Sequence, residues 1–242
     1  MGERGDGSGS DDGAGQGAAR PHYLGHRERL RRRVLEGGTE ALADYELLEF
    51  LLFTAQPRQD MKPLAKALIQ RFRGLGGVLS AEPDSLLAIP GMGEASVAAL
   101  KAVREAGLRL LRAEVAKRPV LSSWQQLLDY CQAAAGHAEV EEFRLLFLDR
   151  KNALIADERQ QRGTIDHTPV YPREVVKRAL ELGASALIMV HNHPSGDPTP
   201  SKADIEMTRE VQKAAAGLGV TLHDHVILGR GRHSSLKSLG LI

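Results

Sequence analysis

The chain has 242 residues, 42% of them hydrophobic and 26% charged, with 32 Lys and Arg against 31 Asp and Glu. That is the composition of a globular protein of one or two domains, and the near-zero net charge gives no bulk attraction to nucleic acid or to a membrane. Aromatics at 4% exclude a base-stacking platform, and the single cysteine, Cys131, excludes a disulfide framework or a cysteine-rich zinc site and fits a reducing cytoplasm.

The first twenty residues, MGERGDGSGSDDGAGQGAAR, are Gly, Ser and Asp around no apolar core. They are expected to form a disordered tail over residues 1–20, and they do not read as a secretory signal. No apolar run reaches the roughly 18 residues of a membrane helix. The basic run Gly25–Arg33 reads as a solvated linker or the start of a helix. Ala41–Leu52 and Asp60–Phe72 have helical spacing, with Asp44 as an N-cap and Pro63 fitting only a first turn.

Leu86–Leu100 (LLAIPGMGEASVAAL) reads as two helices joined by a tight Gly91-Met92-Gly93 turn, with the second helix starting near Glu94. Lys101, Arg104, Arg109 and Arg112 follow, mostly on helical spacing. Two readings stand. One is a structural hairpin burying Ile89, Met92 and Val97, which is preferred. The other is a helix-hairpin-helix whose free N–H groups hold DNA phosphates. The break at Lys117-Arg118-Pro119 sets the expected domain boundary, giving a helical domain over 21–116 and a second domain over 120–242.

In the second domain Ser122 or Ser123 is expected to cap a helix over Trp124–Ala135. Phe143–Leu148 and Ala153–Ala156 read as strands joined by a turn. A helix follows from Tyr171-Pro172-Arg173 to Leu182-Gly183, then a buried strand at Ala186–Val190. A helix over Asp204–Ala216 and a strand over Val220–Leu228, broken by His223-Asp224-His225, complete an α/β pattern.

The chemistry concentrates at the end of the Ala186–Val190 strand. Positions i and i+2 share a face of a strand, so His191 and His193 point the same way. Two imidazoles so placed can hold one Zn²⁺ at about 2.0–2.1 Å. The proline-stiffened loop Pro194–Pro200 returns the next helix, on which Asp204 supplies an oxygen. Three protein ligands leave a fourth position for water, the arrangement of catalytic zinc. Ser201-x-x-Asp204 is also a capping box, so a purely structural role for both residues is the competing reading. The pair His223 and His225 lacks a carboxylate at comparable spacing. His223 reads as a surface residue and His225 as core or support.

His191-x-His193, with Ser201 and Asp204 at their spacings, matches the JAMM signature of MPN-domain metalloproteases. HNHPSGDPTPSKAD, with REVVKRALELGA before it and HDHVILG after it, resembles the RadC family. ADYELLEFLL and LLAIPGMGEASVAALKA resemble that family's helical domain, and the likeness runs from about Arg27 to Ile242. The resemblance implies a C-terminal α/β domain of the MPN, cytidine-deaminase-like type, preceded by a small all-α helix-hairpin-helix-like domain. It implies His191, His193 and Asp204 as Zn²⁺ ligands and Ser201 as the donor to an oxyanion.

It also implies a glutamate general base upstream of the first strand. Family members carry it at the first position of the pair Glu141-Glu142, which points to Glu141. Glu142, Glu158 and Glu174 remain rivals. The expected activity is zinc-dependent hydrolysis of an amide or isopeptide bond in a peptide or protein substrate. The alternative is a DNA-associated module gripping phosphates through Gly91–Gly93, with an inactive C-terminal scaffold.

Overall fold

The structure is a computed structural model that describes residues 22–38, 40, 42–57, 59–162 and 170–242. The expected tail, residues 1–20, lies outside them. The chain divides into two compact units, Met1–Ala41 and Leu42–Ile242. The described part of the first carries helix α1, His22–Gly37. The basic run Gly25–Arg33 is interior to that helix, because Arg, Leu and Glu are good helix formers and no proline interrupts them.

The second unit opens with helices α2 (Asp44–Ala55), α3 (Lys62–Phe72), α4 (Leu75–Ser80), α5 (Pro83–Leu87) and α6 (Glu94–Ala116). Asp44 is not the cap of α2 but its first residue. Ala43 is the N-cap, its N–H is taken by the Glu46 carboxylate at 3.0 Å, and Asp44 Oδ2 accepts from Leu75 N–H at 3.4 Å. Between α5 and α6, Gly91 has a φ of +89°, which side-chain-bearing residues rarely adopt. Of the three residues the structural reading buries, Met92 and Val97 are buried beside this turn and Ile89 is only partly covered. Gln56, the C-cap of α2, braces it, with Nε2 donating to the Gly91 carbonyl at 3.1 Å and the Ser96 hydroxyl at 2.7 Å.

Helix α7 (Trp124–Ala135) has Ser123 at its N-cap position, yet neither expected hydroxyl caps it. Ser122 and Ser123 both donate back to the Pro119 carbonyl, at 2.8 and 3.1 Å. These serines instead hold the short turn Val120–Ser122.

The remainder is a sheet of order β2-β1-β3-β4-β5. Its strands are β1 (Glu142–Leu148), β2 (Leu154–Arg162), β3 (Ala186–Asn192), β4 (Thr221–Leu228) and β5 (His233–Ser235). β3 and β4 run parallel and the other pairs antiparallel. Helix α8 (Pro172–Glu181) precedes β3, and α9 (Lys202–Ala216) crosses from β3 to β4, as a parallel pair demands. The expected break in β4 is a bulge instead. Leu222 faces Leu187 and Asp224 faces Ile188, so His223 is the extra residue while the ladder continues. β2 runs beyond the expected Ala156. β5 has the three-residue polar sequence His-Ser-Ser, which carries no strand signal.

Alternation along the strands builds two cores. Leu146, Leu148, Ile188 and Val190 pack with Leu127, Leu128 and Cys131 of α7, and Leu108 and Leu111 of α6 lean on the same cluster. Phe143, Leu145, Phe147, Leu187 and Met189 pack on the other face with Val175 and Val176 of α8 and Val211 and Ala215 of α9. All seven residues of β3 are buried. Each large apolar side chain so covered is worth about 1.5–3 kcal/mol, which fixes β3 as the rigid centre of the sheet. Among the described residues, no helix is long and apolar enough to cross a membrane.

A candidate metal centre at the end of a buried strand

His191 lies within β3 and His193 just beyond it, where His193 N–H extends the ladder to the Leu228 carbonyl at 2.9 Å. Phe143 of β1 is opposite His191 and stacks on its ring, with centroids 6.2 Å apart. The loop after His193 folds back on itself through Gly196 N–H to the His193 carbonyl, at 2.9 Å. Arg230 donates to the Pro194 carbonyl at 3.0 Å, and Arg232 reaches the Gly196 carbonyl at 3.3 Å. The backbone turn after β4 presses on this loop, so that a Cβ at Gly229 would stand 2.4 Å from the Gly196 oxygen. Only glycine fits there.

The loop delivers Ser201 as the N-cap of α9. Ser201 Oγ accepts Asp204 N–H at 3.1 Å, and the Ser201 hydroxyl and N–H both donate to Asp204 Oδ2 at 2.7 Å. The capping box and the convergence on a metal-sized centre therefore coexist. The cap orients the carboxylate, leaving Asp204 Oδ1 3.4 Å from His191 Nε2 and Oδ2 3.5 Å from His193 Nε2. The two Nε2 atoms are 3.0 Å apart. Among the described residues, His191, His193 and Asp204 form one group of potential ligand atoms within 4.8 Å of one another.

Hydrogen-bond directions assign the tautomers. The Thr208 hydroxyl donates to the Asp204 carbonyl, so its oxygen accepts from His225 Nδ1 at 2.6 Å. His225 Nε2 is then an acceptor and takes the proton of His191 Nδ1 at 2.8 Å. His193 Nδ1 donates to the Asp197 carbonyl at 2.8 Å. In their neutral forms His191 and His193 both turn an Nε2 lone pair toward Asp204. Tetrahedral zinc ligands at about 2.0–2.1 Å stand roughly 3.3–3.4 Å from one another. The Nε2–Nε2 distance of 3.0 Å and the 3.4 and 3.5 Å from the two rings to the Asp204 oxygens, one to each, are on that scale.

The electrostatics agree. Burial pushes the His191 imidazole down to about 4, and burial likewise drives His225 well below the usual range. His193 is raised, chiefly by its hydrogen bond to Asp204. Burial alone would raise the Asp204 carboxyl, but His193, the His191 ring and Ser201 together hold it well below the ordinary carboxylate range.

The two glutamates before β1 diverge. Glu142 is buried and turned toward arginines, with Arg159 at 3.4 Å and Arg144 at 4.0 Å. Glu141 precedes the strand on the Phe143 face, is half-buried, and its charge acts on His193. Glu158 is gripped by Arg178 at 2.6–3.1 Å and Glu174 by Arg173 at 3.0 Å. His223 bonds the Asn152 side chain at 2.6 Å and stays outside the cluster.

Sequence reasoning missed three contributors. Thr208 is one, and the Gly196–Gly229 contact is another. Asn192 is the third. Its Oδ1 accepts Glu142 N–H at 2.8 Å, and its Nδ2 donates to the carbonyls of Val140 at 3.1 Å and Ala138 at 3.3 Å. The only signal for Thr208 was its position one helical turn after Asp204.

A family model described as the RadC-like JAB domain matches residues 121–241, and one for the UPF0758 N-terminal region matches residues 22–98. A UPF0758 protein of Rhodobacter capsulatus is 62% identical over 213 residues, covering 88% of this chain and the whole of that protein. The chain belongs to the RadC family. Its fold is accordingly an N-terminal helical region followed by a JAB/MPN domain built on the five-stranded sheet.

Proposed function

We propose that this RadC-family chain is a zinc-dependent hydrolase acting on an amide or isopeptide bond of a peptide or protein. One observation carries the reading. Two imidazole Nε2 atoms and the two oxygens of the Asp204 carboxylate converge at 3.0–3.5 Å, within reach of one small cation. So many lone pairs gathered in one place repel one another until a proton or a cation enters. His191, His193 and Asp204 would hold the ion, and Zn²⁺ suits two nitrogens and one oxygen.

When bound, zinc supplies Lewis-acid polarisation of the scissile carbonyl and hydroxide at neutral pH. Glu141 takes the proton of the attacking water and passes it to the leaving nitrogen. Ser201 turns its hydroxyl from Asp204 to the oxyanion, a donor of a kind worth about 2.7–4 kcal/mol. The lone cysteine, buried and reduced, supports a cytoplasmic setting.

The test begins with zinc content of the purified protein by mass spectrometry, followed by a peptide-library cleavage screen. Wild type is expected to hold one zinc and cleave. Glu141→Gln is expected to retain zinc and lose about a hundredfold or more in turnover, and Ser201→Ala a comparable factor, with Glu142→Gln near wild type. A wild type that takes up no zinc on loading ends the reading. Equal losses for Glu141→Gln and Glu142→Gln remove Glu141 from its role.

A second reading concerns the helical hairpin. No side chain caps the start of α6, which leaves first-turn N–H groups open to a phosphate. Gel shifts at low and high salt, with Gly93→Glu as control, test it. DNA binding that vanishes in the variant supports the grip, and no shift in either protein removes it.

A further inference from the structure

Of the basic residues that follow the hairpin turn, Lys101 and Arg104 are partly buried, while Arg109 and Arg112 are exposed. A cavity of about 360 Å³ lies between α6, α7 and the first two strands, and Lys101, Arg104 and Arg112 of α6 line it. Arg109, Arg144 and Arg159 add three more cations to its wall, against the carboxylates of Glu82, Glu105 and Glu142.

Among the described residues, three of the six cations have counter-ions in contact. Arg109 pairs with Glu105 at 2.8 Å, Arg159 with Glu142 at 3.4 Å, and Arg144 binds both oxygens of Asp157 at 2.9–3.1 Å. Lys101 and Arg104 are bound differently. Lys101 Nζ donates to the carbonyls of Leu79 and Ala81, and Arg104 Nη2 donates to that of Ala134 at 2.7 Å. Carbonyls satisfy these donors, and the nearby carboxylates of Glu82, Glu139 and Glu142 act on the two charges through space. The two side chains are one helical turn apart, and each is partly buried. Burial first, and then the charge of the neighbour Arg104, lowers the Lys101 pKa. Burial likewise lowers Arg104, whose Nε is buried with no hydrogen-bond partner among the described residues. Holding like charges together in a desolvated cleft is unfavourable unless an anion completes the site.

We propose that this cavity binds a small phosphorylated ligand, with Lys101, Arg104 and Arg112 holding the phosphate. Guanidinium and ammonium donors converging from one helix face suit a tetrahedral dianion. The volume matches a small-molecule pocket and is too confined for a duplex. Tyr130 is the aromatic of the lining, and its hydroxyl is committed to Asp157. The contacts therefore read the anion rather than a base. The cavity meets β1 at Glu142, on the sheet face opposite Glu141, so the site is separate from the metal centre and does not depend on hydrolysis.

Calorimetric titration of the full chain with inorganic phosphate and with glycerol 3-phosphate tests this. One saturable site per chain is expected. Lys101→Gln combined with Arg104→Gln keeps amide donors for the carbonyls while removing both charges, and should weaken binding about tenfold or more. If that variant fails to fold by circular dichroism, Arg112→Gln on the exposed rim decides, with an expected loss of about threefold. No saturable binding in wild type up to about 10 mM, or unchanged affinity in the variants, overturns the proposal. Binding of duplex DNA that phosphate does not displace, with no phosphate site found, overturns it as well.

Discussion

His191-x-His193, at the end of β3, and His223-x-His225, on β4, are the same pattern at neighbouring parallel strands. On β3 the ladder is regular through Asn192, both rings fall on one face, and the loop returns an acid to them. On β4 the bulge at His223 sends that ring to Asn152 in the turn between β1 and β2, while His225 goes inward beneath His191. The acid between them, Asp224, cannot act as a ligand. It accepts from His225 N–H at 2.7 Å, from Lys237 N–H at 3.1 Å and from the Ser235 hydroxyl. Spacing puts imidazoles on a face, but register and the following segment decide whether they converge.

Breaking the first pair should have the largest effect. Asp204→Ala and His193→Ala are each expected to abolish stoichiometric zinc by mass spectrometry, while His223→Ala retains it. Retention of zinc in both of the first variants would dissolve the contrast. His225→Ala comes next. It leaves His191 Nδ1 and Thr208 without their partner in a fully buried site, at a cost of about 2–4 kcal/mol in chemical denaturation. Its zinc affinity should fall about 10–100-fold, because the ring that sets the His191 tautomer is gone. Unchanged affinity would make His225 mere packing.

The pH dependence sharpens the comparison. His193 is raised above the ordinary imidazole value of 6.5 by Asp204, whereas His191 stays neutral down to about 4. Zinc takes the neutral ring, so His193 must release its proton. Apparent zinc affinity should therefore be flat above the raised His193 pKa. It should fall about tenfold per unit as pH drops below that value. A chelator competition series measures the slope, and a flat profile down to about pH 5 would contradict the assignment. The smallest change is expected for His223→Ala, within about 0.5 kcal/mol of wild type by thermal melt.

Much of the site was legible because its signals are local. Alternation over two residues placed His191 and His193 together, and a capping box placed Asp204 one turn into α9. The difference between Glu141 and Glu142 lies in the arginines of β1 and β2, which only the sheet brings to Glu142. The continuation of β4 through His223-Asp224-His225 was hidden because polar residues inside a strand mimic a break. β5 was hidden because three polar residues carry no period. The caps at Ser122, Ser123 and Asp44 failed for a related reason: a nearby carbonyl or N–H competed for the side chain. The roles of Thr208 and Gly229 depend on contacts across 17 and 33 residues of chain, beyond any local pattern.

The middle residue of the His-Asn-His run has a consequence of its own. Asn192 turns away from the ligand face and staples the segment from Ala138 to Glu142. The proposed proton carrier and the proposed zinc-binding rings are thereby riveted to a single plate. Shear between β1 and β3 would have to break three hydrogen bonds of one buried side chain, as well as the ladder itself, before it altered their spacing.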